Sequence, residues 1–128
     1  MEKQQFEYLA NQIFNACLEV HKYLGPGLLE SVYEYALMEE FEMRNIQFQR
    51  QVKVPLFYKG INIGKDFFVD ILISNEIIIE LKAIEGLLPI HEAQLISYLR
   101  LADKRMGFLV NFNVTLLKNG FKRFVNNY

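Results

Sequence analysis

The chain has 128 residues, 52% hydrophobic and 23% charged, with a net charge of −1. This is the composition of an ordinary soluble globular protein, expected to form one domain over residues 1–128 with a real core. It excludes a membrane-spanning helix, for which no apolar run approaches the ~18–20 residues required, and a strongly basic protein that coats nucleic acid without specificity.

Cysteine and histidine usage narrows the classes further. Cys17 is alone and cannot form an intrachain disulfide, and His21, His91 and Cys17 cannot build a structural zinc site unaided. The opening Met1-Glu2-Lys3-Gln4-Gln5-Phe6 lacks the basic-then-apolar pattern of a secretory signal, and the lone Cys17 makes a reducing cytoplasm the expected setting. A local basic rim remains open, drawn from ten scattered residues between Arg44 and Arg123.

In chain order, Phe6, Leu9, Ile13, Cys17 or Ala16, Val20 and Leu24 recur at three- and four-residue steps and predict a helix from Gln5 to Leu24. Gly25-Pro26-Gly27 stops it, and a second helix is expected from Leu29 to Arg44, with Asn45 as terminator. A β region follows. Phe48 to Tyr58 carries Pro55, which suggests an edge strand or a bulge; Lys59-Gly60 turns into a short strand at Ile61–Ile63, and Gly64 breaks it. Two core strands come next, Phe67–Ile73 and Ile77–Ile84, around a turn at Ser74-Asn75-Glu76. Pro89 opens a third helix, Ile90 to Ala102; Met106 to Phe112 reads as a strand, and Phe121 to Val125 as a last short one. The order predicts an α/β sandwich around a mixed sheet, with the third helix crossing over between parallel neighbours.

Three charges stand in the most apolar part of this pattern: Asp70, Glu80 and Lys82. A buried carboxylate costs several kcal/mol unless it is paired or coordinated. Glu80 and Lys82 leave one strand face, and a tight reversal at 74–76 lays Asp70 opposite or diagonal to Glu80, roughly 4.5–8 Å away. Two carboxylates so placed repel each other. A hard divalent cation, Mg²⁺ or Mn²⁺, removes the repulsion and leaves Lys82 free beside it. A Glu80–Lys82 or Asp70–Lys82 ion pair accounts for the same charges at this point.

Asp70 followed by Glu80-x-Lys82 resembles the PD-(D/E)XK nuclease superfamily. Gly27-Leu28-Leu29-Glu30-Ser31-Val32-Tyr33 fits the signature of its GxxExxY family, and Gln94 with Tyr98 is similar to the superfamily's Gln-x-x-x-Tyr helix element. The resemblance runs from about Val20 to Val125; Val69 stands where the superfamily pattern often has proline. It implies a restriction-endonuclease-like fold, a central mixed β-sheet flanked by helices. It also implies Asp70, Glu80, the Leu81 carbonyl and Glu30 as metal ligands, and a catalytic set of Asp70, Glu80, Lys82, Gln94 and Tyr98. Lys82 would position or deprotonate the attacking water.

For the motif residues the sequence leaves alternatives. Glu30 suits a first helical turn through the helix dipole alone. Tyr33 either orients Glu30 or is a core aromatic, and Gly27 permits a sharp helix–helix join. His91 stays outside the catalytic set, and His21 is expected to be partly exposed beside a core Cys17. The implied activity is Mg²⁺- or Mn²⁺-dependent hydrolysis of phosphodiester bonds, in DNA before RNA. The alternative is a non-catalytic module of the same shape that binds nucleic acid or protein. A homodimer or a protein partner could supply recognition.

Overall fold

A computed structural model describes residues 1–128. The elements are α1 (Lys3–Leu24), α2 (Glu30–Met43), β1 (Phe48–Tyr58), β2 (Ile61–Ile73), β3 (Ile77–Lys82), α3 (Pro89–Leu101), β4 (Met106–Asn111) and β5 (Phe121–Val125), with a short 3-10 turn at Leu117–Asn119. The five strands form one sheet in chain order. All neighbours are antiparallel except β3 and β4, which run parallel because α3 carries the chain back between them.

Two cores occupy the two faces of the sheet. On one, Phe6, Ile13, Tyr33 and Phe41 from α1 and α2 pack on Ile71, Ile73, Ile77, Ile79 and Leu81. On the other, Leu95 and Leu99 of α3 pack on Leu72, Ile78 and Leu109. β3, buried at every position except Lys82, is covered on both faces, as its run of isoleucines requires. Gly107 lets α3 lie this close: a Cβ there would stand 3.1 Å from both the Leu95 and Leu99 side chains and 3.2 Å from the Ile78 carbonyl.

Three sequence expectations are corrected. The short strand at Ile61–Ile63 and the Asp70 strand are one continuous strand, because Gly64 (φ 73) accommodates a register shift opposite Pro55–Phe57 and its N–H is held by the Asn62 side chain at 2.9 Å. Asn111 ends β4 as a buried residue, with Phe112 just beyond the strand. His21 is buried, its Nε2 2.7 Å from the Val114 carbonyl oxygen, while burial pushes the Cys17 thiol up; the two are separate core groups. No helix is long and apolar enough to cross a membrane.

Candidate active site

The β2–β3 ladder begins at the Ile73–Ile77 rung and ends at Ile71–Ile79. The next rung would be Asp70 with Glu80, and there the backbone pairing gives way to side chains. Asp70 Oδ2 accepts the Leu81 N–H at 2.8 Å, and Glu80 Oε1 accepts the Asp70 N–H at 3.2 Å. Each carboxylate thus satisfies a backbone donor of the opposite strand where the strands part. The N–H and C=O of a strand residue point to the same side, so the Leu81 carbonyl faces this opening as well.

Glu80 is only 6% exposed. Burial, and secondarily the Asp70 carboxylate beside it, push its pKa from the ordinary 4.5 up to about 9, against a smaller opposing effect of Lys82. Lys82 forms no salt bridge, and neither Asp70 nor Glu80 has a cationic side chain within 4.0 Å. The ion pair that the sequence left open is therefore not formed in this structure. A carboxyl pair with Glu80 buried and Asp70 half-buried, and without a counter-cation, is a chemically suitable seat for a hard divalent ion.

Gly27, Glu30 and Tyr33 have separate tasks in the geometry. The Tyr33 hydroxyl donates to the Gly25 carbonyl at 2.6 Å and accepts the Leu28 N–H at 3.1 Å, while its ring stacks on Phe112 at 4.5 Å. It locks the α1–α2 loop and does not reach Glu30. Gly27, at φ 94, supplies the turn that side-chain-bearing residues rarely adopt. The locked loop presents Glu30 in the first turn of α2. Although the residue is exposed overall, partial burial of its carboxyl, then the Asp70 charge, push its pKa up, opposed by Lys82. Glu30 thus lies within electrostatic reach of the strand pair. The three carboxylates nevertheless do not converge as one ligand cluster; no group of three acidic, histidine or cysteine side chains does so in the chain.

From α3, the Tyr98 ring stacks on Phe67 at 4.2 Å, and burial, then Glu80 and Asp70, push its hydroxyl pKa up. Gln94 is exposed and makes no side-chain hydrogen bond. His91 Nδ1 accepts the Leu88 N–H at 2.9 Å, an end-of-helix role. Five of the ten basic residues that could have formed a rim are already paired with carboxylates.

Two polar residues near the site lie outside the set expected from the sequence. Glu34, on α2, is buried and accepts from Gln51 of β1 at 3.0 Å; Gln51 also approaches Asp70 Oδ1 at 3.5 Å. Asn111 fastens the chain just after Lys82, donating to the Ile84 carbonyl at 3.0 Å and accepting the Ile84 N–H at 3.1 Å. Phe112 N–H donates to the Lys82 carbonyl at 3.0 Å, which fixes the end of β3 from its other edge. A buried Asn at a strand end is the one cue that could have singled out Asn111.

Neither among curated proteins nor among solved structures does any chain match this one. The family model described as PD-(D/E)XK nuclease superfamily matches residues 7–124, over an α/β fold with a five-stranded mixed sheet between three helices. By that match the chain belongs to the PD-(D/E)XK nuclease superfamily.

Proposed function

We propose that this protein is a Mg²⁺- or Mn²⁺-dependent nuclease of the GxxExxY branch, a single cytoplasmic domain that hydrolyses phosphodiester bonds in DNA in preference to RNA. The observation that carries this reading is the Asp70–Glu80 crossing at the parting of β2 and β3, with Lys82 unpaired beside it. Asp70, Glu80 and the Leu81 carbonyl would hold the cation. Mg²⁺ commonly takes one or two carboxylates and keeps several waters, so two strand carboxylates suffice and Glu30 acts from the next layer of solvent. When bound, the cation supplies positive charge to the phosphate and acidifies a water.

The remaining tasks belong to the chain. Lys82 orients or deprotonates the attacking water and offsets charge growing on the phosphate. Tyr98 borders the cleft over Phe67 and, with Gln94 one turn earlier, contacts the phosphate backbone. The net charge of −1 supplies little long-range attraction for nucleic acid, so recognition is shared with a protein partner or a second copy.

The test is cleavage of plasmid and single-stranded DNA with Mn²⁺, against EDTA. Wild type should cut, and Lys82→Ala should lose on the order of 10²–10⁴ in rate with its melting temperature unchanged. Mn²⁺ should raise the melting temperature of wild type, and Asp70→Asn should abolish that response. Wild type that binds DNA or RNA yet cuts neither with Mg²⁺ or Mn²⁺ would establish the binding-module alternative instead.

A further inference from the structure

Seven non-glycine residues have positive φ, and six of them lie in turns or the C-terminal tail; Gln51, at φ 51, lies inside β1. A side-chain-bearing residue in the left-handed region within a strand is uncommon, and persists where the surroundings hold it there.

Its position coincides with a second irregularity. Phe48, before Gln51, packs with the α1–α2 core, whereas Val52, Val54 and Leu56, after it, pack with the α3 core. On β2, Ile71 belongs to the first core and Val69 to the second. Strict alternation would keep residues 69 and 71 on one face. Both strands therefore exchange faces between the Arg50–Ile71 and Val52–Val69 rungs, and no residue is inserted there in either strand. The intervening positions are Gln51 and Asp70.

The side chain of Gln51 acts at the same place. Its Nε2 donates to Glu34 Oε1 at 3.0 Å and lies 3.5 Å from Asp70 Oδ1; one amide group carries a hydrogen for each. Glu34 is a firm anchor, being buried and 3.6 Å from the Arg50 guanidinium through its other oxygen.

We propose that Gln51 is a positioning residue of this site: its left-handed backbone reverses the faces of β1 and β2 at Asp70, and its amide, anchored on Glu34, steers Asp70 Oδ1. The inference rests on the metal-centre reading above and assigns the geometry of one of its ligands to a residue that need not touch the cation or the substrate. The reversal matters because Asp70 would otherwise follow strand alternation toward one core. Here it sits at the change of face, at the mouth of the β2–β3 opening.

Two variants separate side chain from backbone. Gln51→Met keeps the length and the left-handed strain but has no donor, whereas Gln51→Gly accepts the backbone angle freely and removes the side chain. Calorimetric titration with Mn²⁺, with melts in EDTA, should show both variants binding the ion at least tenfold more weakly than wild type. Gln51→Gly should melt no lower than Gln51→Met, which separates weakened binding from unfolding. Variants that lose melting temperature but bind Mn²⁺ as wild type does would overturn the inference and leave the metal centre standing. Wild type that takes up no Mn²⁺ would overturn the metal centre and this inference with it.

Discussion

Glu80→Gln offers a direct test of the electrostatics at the strand parting. In the folded, metal-free protein the Glu80 carboxyl is held protonated up to about pH 9, whereas unfolded it ionises near 4.5. Between these values the unfolded chain binds fewer protons than the folded one, so stability falls as pH rises through the window. At pH 7 the gap above 4.5 corresponds to roughly 3 kcal/mol. Glutamine is a neutral carboxamide with nearly the same shape, and its oxygen can still accept the Asp70 N–H. It removes the pH-dependent cost, so Glu80→Gln should be more stable than wild type at pH 7 by up to that amount. For a chain of this size the difference is on the order of 10 °C in melting temperature. Near pH 4, where the wild-type carboxyl is neutral in both states, the two melting curves should converge. The assay is thermal unfolding of metal-stripped protein by circular dichroism from pH 4 to pH 8. Equal melting at pH 7–8, or an advantage that persists undiminished at pH 4, would refute the assignment of Glu80 as a buried acid.

Two further substitutions probe the supports of the site. Tyr33→Phe keeps the stack on Phe112 but leaves the Gly25 carbonyl and Leu28 N–H without their partner; stability in urea should fall by about 1–3 kcal/mol, with Mn²⁺ affinity unchanged. Asn111→Ala removes both bonds to Ile84 and the one to the Asn113 N–H, and at about 1 kcal/mol each should cost roughly 3 kcal/mol. Hydrogen exchange should locate that loss at the Ile84 amide.

The residues legible in the sequence were those whose pattern is local. The α1 stripe follows a helical period, and the Asp70–Glu80 juxtaposition follows from two apolar runs and a three-residue turn whose Ser74 and Asn75 both take positive φ. Lys82 is two residues from Glu80, so its side of the strand was fixed as soon as the strand was. What escaped depends on distant partners or on broken periodicity. Gln51 looks like any polar residue on an edge strand, and its role appears only when Glu34, on α2, is folded beside it. The change of face at Asp70 cannot be read from a run as uniformly apolar as Phe67–Ile73, because either face could be the inner one. Gly64 looked like a stop because a bulge and a strand end use the same residue. Tyr33 belonged to a recognisable motif, but its partner, the loop before α2, was set by backbone geometry rather than by residue type.

The exchange of backbone for carboxylate acceptors at the parting of β2 and β3 also furnishes a means of observation. The Asp70 and Leu81 N–H groups lie beyond the last β2–β3 rung and are held by Glu80 and Asp70 side chains. Their protection from solvent deuterium is therefore governed by what those two carboxyls are doing, while the amides of Ile71 and Ile79 report on the sheet itself. A cation or a proton that redirects either oxygen registers at one peptide group and leaves its neighbours as the internal reference. The molecule thus carries two native reporters of its own carboxyl pair, readable in the resting protein without label or substrate.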